Sequence, residues 1–202
     1  MAYQVVKSET PYEGAVVTVR LDTVRMPDGG LADREVVEHV GSVAVVAIKN
    51  TGELLLIRQY RHPVGGYLWE LPAGLCDQDG EDPLDTARRE LAEETGWHAA
   101  RWATLVDVRP SPGMSSEVVR IYVARGLSER HRDGEEAGEE QDLQQRWLIL
   151  PEAVRKVLDG RITNGLAVAG ILAAAVGAGV RDVGTRLADC PWPSASGGDQ
   201  QG

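Results

Sequence analysis

The segment from Gly74 to Trp97 constrains this chain more than any other, because it reads as a loop running into a helix with both ends marked. Asp82 suits the N-cap, Pro83 the first helical position, Asp85 the acidic first turn, and Gly96 the left-handed residue beyond the last turn. These signals predict a helix over about residues 83–95. At about 100° per residue, Leu84, Ala87 and Leu91 share an apolar stripe, and Glu90, Glu93 and Glu94 share the adjoining face. Like charges at such spacings repel by roughly a few tenths of a kcal/mol per pair, so helix stability does not account for them. Two readings follow from the cluster itself: a solvated acidic face, or oxygen ligands for a hard divalent cation.

The flanking order narrows that choice. Gly74, Glu81 and then Arg89-Glu90-Leu91-Ala92-Glu93-Glu94-Thr95-Gly96-Trp97 resemble the signature of the Nudix hydrolases. In that signature a Gly, five residues, a Glu and seven residues lead to Arg-Glu, an aliphatic residue, any residue, Glu-Glu, any residue, Gly and an apolar residue. The helical half matches without a gap, whereas six residues, Leu75 to Gly80, separate Gly74 from Glu81. Outside the signature, Gln59-Tyr60-Arg61 and Trp69-Glu70-Leu71-Pro72-Ala73-Gly74 are similar to segments of the ADP-ribose pyrophosphatase branch. Pro112, 15 residues after Trp97, falls where a proline marks that branch.

The resemblance implies an α/β/α sandwich with a mixed sheet and Mg²⁺-dependent hydrolysis of nucleoside diphosphate sugars, with Mn²⁺ as an alternative ion. ADP-ribose, cut to AMP and ribose 5-phosphate, is the leading substrate. Glu90, Glu93, Glu94 and the backbone carbonyl of Ala73 are the implied metal ligands, with Arg89 and Glu81 as their flanking partners. In this branch a glutamate from the loop before the last strand takes the proton of the attacking water. Of Glu135, Glu136, Glu139 and Glu140, the arrangement before Trp147 favours Glu140, then Glu139. Substrate contact maps to Arg61, Arg34, Pro112 and Gly113. Hydrolysis of another nucleoside diphosphate sugar is the nearest alternative. A nucleotide sensor without catalysis is the competing class, but such proteins usually lose a signature carboxylate or gain a DNA-binding segment.

A chain of 202 residues with 43% hydrophobic and 26% charged residues suits one folded domain with a small appendage. A net charge of −10 argues against a nucleic-acid surface, and neither a membrane span nor a signal peptide is evident, so a cytoplasmic location is expected. Cys76 and Cys190 lack ligand spacing with the four histidines, so neither a zinc site nor a disulfide is expected.

Residues 1–40 read as an antiparallel β appendage around a Pro27-Asp28-Gly29-Gly30 turn, too small to be stable alone and implying packing on the main domain or on another subunit. The resemblance likewise implies a homodimer with exchanged N-terminal strands. Residues 41–185 form the expected hydrolase domain. Within it Ser42–Ile48, Glu53–Tyr60, Trp102–Val108, Val118–Ala124 and Leu143–Leu150 read as strands, and Pro151–Leu158 and Asn164–Val176 as helices. The charged stretch 128–142 reads as a mobile loop. Residues 186–202, rich in Pro, Ser, Gly and Gln towards the end, are expected to be a disordered tail.

Overall fold

The structure is a computed structural model that describes residues 3–129, 143–179 and 185–193. Its chain divides into two compact units. The larger comprises residues 42–108 and 119–193; the smaller contains residues up to Gly41 together with the loop Arg109–Val118.

The larger unit is built on a mixed sheet in the order β7-β4-β9-β8. Its strands are β4 (Ser42–Ala47), β7 (Ala73–Leu75), β8 (Trp97–Val108) and β9 (Val119–Glu129). β4 runs parallel to β9, and the remaining pairs are antiparallel. Every residue of β4 is buried, as its unbroken apolar sequence requires. Period-two alternation sends Val43, Val45 and Ala47 to one face, with Leu91 and Tyr122, and Ala44, Val46 and Ile48 to the other, with Ile121 and Ile171. Helix α1 (Pro83–Thr95) covers the first face. α2 (Leu150–Leu158) and α3 (Gly165–Gly179) cover the second. Two cores back to back on one sheet make the α/β/α sandwich expected from the sequence.

A second, antiparallel sheet in the order β10-β5-β6 joins β5 (Glu53–Arg61), β6 (Gly66–Glu70) and β10 (Gln144–Ile149). The short strands β6 and β7 were not evident from sequence, because Gly65-Gly66 and Pro72 read as turn residues. Gly65 is indeed left-handed, with φ of 67°, but the chain re-pairs directly after it, Arg61 opposite Gly66.

The smaller unit is a three-stranded antiparallel sheet of β1 (Gln4–Glu13), β2 (Val17–Arg25) and β3 (Leu31–His39). The turn at Pro27–Gly30 joins β2 to β3, closed by the Met26 amide donating to the Gly30 carbonyl at 2.8 Å. The expected boundary at residue 40 omits the loop Arg109–Val118, which pairs with β3. The amide of Val37 donates to the Met114 carbonyl at 2.7 Å, and that of Ser116 to the Val37 carbonyl at 3.0 Å.

The start of the expected tail also needs correction. Arg186 and Thr104 exchange backbone hydrogen bonds of 3.0 Å in both directions. Buried Arg120 donates to the carbonyls of Cys190 and Pro191 at 2.6 Å each and lies under the Trp192 ring. Composition marked these residues as tail, but a buried guanidinium needs acceptors, and this stretch of backbone supplies two of them. No helix among the described residues is long and apolar enough to cross a membrane.

Candidate active site

Helix α1 spans the predicted residues. The Asp82 carboxylate accepts from the Leu84 amide at 2.8 Å, and Gly96 turns left-handed, with φ of 74°, to donate to the Ala92 carbonyl. Ala87 and Leu91 are fully buried against β4 and β9, which fixes the rotation of the helix. That rotation aims the acidic face at β7, where the Leu71-Pro72-Ala73-Gly74 segment passes.

Each carboxylate on this face meets a specific partner. Glu94, 7% exposed, accepts from the Ala73 amide at 3.0 Å. Glu90 lies against Gly74 so closely that a Cβ built on that glycine would fall 2.0 Å from the Glu90 carboxyl carbon. Only a residue without a side chain fits there, so the signature glycine serves close approach rather than a turn. Glu93 is half exposed.

Arg89 knits the face together. Its Nη1 donates to Glu90 at 2.7 Å and to Glu93 at 3.0 Å, and its Nε and Nη2 reach the two oxygens of Glu81 at 3.2 and 3.1 Å. One guanidinium thus offsets the repulsion among three carboxylates. Glu81 is held below the ordinary carboxylate range by the hydrogen bonds of Arg89 first and Thr86 second. Burial pushes Glu90 above that range, with Arg89 opposing it. The extra loop residue before Glu81 therefore leaves its pairing with Arg89 intact.

Among the described residues no three acidic, histidine or cysteine side chains converge as a closed metal-binding group. The donor set itself still fits a hard divalent cation: three carboxylates on adjoining turns, two of them engaged by one guanidinium, beside the β7 backbone. Arg61, at the end of β5, donates through Nη2 to Glu70 at 2.7 Å and through Nε at 3.1 and 3.2 Å. Glu70 is 2% exposed, whereas the Arg61 side chain is 41% exposed, so a buried anion aims a half-exposed cation. Sequence reasoning missed Glu70 as the partner. A charged residue inside the otherwise apolar Trp69–Ala73 run was the available signal.

Glu139 and Glu140, with the other loop glutamates considered as the base, lie outside the described residues. Arg34, Pro112 and Gly113 belong to the smaller unit. Arg34 donates to the Asp33 carbonyl at 2.8 Å, and Pro112 and Gly113 are exposed on a turn closed by the Met114 amide donating to the Ser111 carbonyl at 3.1 Å.

Comparison with known proteins gives the family of the chain. Residues 38–165 match the NUDIX domain, and residues 3–37 match the nucleoside diphosphate sugar hydrolase N-terminal domain. An ADP-ribose pyrophosphatase of Mycobacterium tuberculosis is 50% identical over 171 residues, covering 85% of this chain and 82% of that protein. A methanol dehydrogenase activator of Bacillus methanolicus is 38% identical over 164 residues, 81% of this chain and 87% of that protein. In fold, a crystal structure of an ADP compounds hydrolase superposes with a TM-score of 0.75 at 23% identity, covering 89% of this chain and 96% of that one. The capped helix, the carboxylate face clasped by Arg89 and the glycine beneath Glu90 thus sit in a chain that belongs to the NUDIX family.

Proposed function

We propose that this chain is an Mg²⁺-dependent pyrophosphatase of nucleoside diphosphate sugars, with ADP-ribose as substrate and AMP and ribose 5-phosphate as products. The observation that carries the reading is the α1 face, where Glu90 and Glu94 stand against the Gly74 and Ala73 backbone and Arg89 joins Glu90 to half-exposed Glu93. The relative at 50% identity bears the name of that activity, and the N-terminal match carries the same substrate class.

A diphosphate bridge repels nucleophiles through its own charge, so its cleavage needs charge neutralisation and a positioned water. Glu90, Glu93, Glu94 and the Ala73 carbonyl would hold a divalent ion, which when bound neutralises phosphate charge and lowers the pKa of water. Arg89 opposes the rise that burial imposes on Glu90 and holds Glu90 and Glu93 in place through two hydrogen bonds from one nitrogen. Arg61, aimed by Glu70, brings positive charge to the phosphates. Glu140, or Glu139 in its place, takes the proton of the attacking water as the phosphorus–oxygen bond of the bridge breaks. On the family likeness, Arg34, Pro112 and Gly113 are assigned to substrate contact.

The reading includes a homodimer and a cytoplasmic setting. All ten residues of β1 are exposed in this chain, with Val5, Val6 and Tyr12 among them, as suits a strand that pairs with a second copy. Cys76 and Cys190 are both free thiols, which suits a reducing compartment. The test is product release from a panel of nucleotide sugars with and without Mg²⁺. AMP released from ADP-ribose only with the ion supports the reading; no turnover of any member favours a sensor.

A further inference from the structure

We infer that Thr86 is a positioning residue: its buried hydroxyl holds Glu81 in the orientation in which Arg89 binds Glu81 and the two helix carboxylates together. The inference rests on the proposed metal-dependent hydrolysis and adds to it a residue at one of the seven positions that the Nudix signature leaves unspecified between Glu81 and Arg89. Thr86 is fully buried on α1, in the first turn and a half. Its Oγ1 donates to Glu81 Oε2 at 2.8 Å and stands 3.4 Å from the Asp82 carbonyl. The same Glu81 oxygen accepts from Arg89 Nη2 at 3.1 Å, and the other accepts from Arg89 Nε at 3.2 Å. Arg89 Nη1 then reaches Glu90 and Glu93.

A chain of contacts therefore runs from a buried hydroxyl through a carboxylate and a guanidinium to two of the three proposed metal ligands. The loop that delivers Glu81 is one residue longer than the family pattern, and such slack would let the carboxylate swing. Two anchors from α1, Thr86 near the start and Arg89 one turn later, remove that freedom. Arg89 alone would hold Glu81 through a fork that can rotate about its own side chain; the hydroxyl fixes which oxygen faces which nitrogen. Partners of this kind, once removed, change metal affinity or activity by roughly 10–100-fold.

The experiment compares wild type, Thr86→Val, Thr86→Ser and Glu81→Gln in the full chain. Mn²⁺ affinity is read by electron paramagnetic resonance, ADP-ribose turnover by kcat and KM, and stability by thermal melting. Thr86→Val is expected to weaken Mn²⁺ binding and lower kcat by about tenfold with KM within about twofold, and Thr86→Ser to restore both. In the Glu81→Gln background, Thr86→Val should cost under about twofold, since the two act through one link. Thr86→Ala, which suits a helix, replaces Thr86→Val should the latter not fold. Wild-type Mn²⁺ affinity and turnover in Thr86→Val overturn the inference, as does an equal loss in Thr86→Ser or a full loss in the Glu81→Gln background. Failure of the parent reading looks different: the wild-type chain itself releases no AMP, while the Mn²⁺ comparison still judges Thr86.

Discussion

Gly74 and Glu90 show how a single position can set the chemistry. Any side chain at 74 overlaps the Glu90 carboxyl, so Gly74→Ala must push Glu90 off the β7 backbone or push the strand away from α1. We expect kcat to fall by about a hundredfold or more, because a displacement of about 1 Å at a reacting centre has that effect. Steady-state kinetics on a folded variant checks it. Glu93 is half exposed and bound only through Arg89 among its described contacts, so Glu93→Gln should leave the melting temperature within a few degrees while abolishing turnover. Glu140→Gln should lower kcat strongly and leave Mn²⁺ affinity unchanged; an unaffected rate would move the base to Glu139. At this scale much was legible in advance, because signature residues have fixed spacing. Glu70 and Thr86 were not, since only the fold shows that a buried carboxylate lies beside Arg61 and a buried hydroxyl beside Glu81.

Among the elements, α1 was readable to its ends, because cap, proline and terminal glycine are local signals that tertiary packing did not override. The strands were less so. β8 and β9 extend well past the apolar runs that revealed them, to Trp97 and Glu129, because their outer ends pair with each other while carrying polar residues. The stretch near Arg186–Trp192 escaped notice because its partners lie far back in the chain. Asp107 binds Arg120 at 2.8 Å and Arg186 at 2.7 Å. Burial alone would raise its pKa, but hydrogen bonds from the two arginines outweigh burial and hold it below the ordinary value of 3.8. The stabilisation is therefore present above the unfolded-state pKa and is lost as pH falls below about 4 through the folded value. Asp107→Asn, which leaves buried Arg120 without its counter-charge, should cost about 3 kcal/mol at pH 7 by denaturant unfolding. That difference should shrink below pH 4. A variant as stable as wild type at pH 7 would show that the pair is not a clasp.

For the whole molecule, the net charge of −10 argued against a nucleic-acid surface, and the family resemblance supplied the sandwich. What the chain's order could not supply was assembly. A three-stranded sheet with one fully exposed strand bearing Val5, Val6 and Tyr12 is marginal by itself, so the proposed dimer should give a solution mass of about twice 21.8 kDa by sedimentation equilibrium. A monomer at micromolar concentration would contradict it. The account turns on the α1 carboxylates enabling water to cleave a diphosphate. Its most direct measurement is the product spectrum from ADP-ribose for wild type and Glu93→Gln, each with and without Mg²⁺. The account predicts AMP and ribose 5-phosphate from the wild type only when the ion is present, and from the variant in neither condition. Near-normal AMP release by Glu93→Gln, or by wild type without a divalent ion, would contradict it.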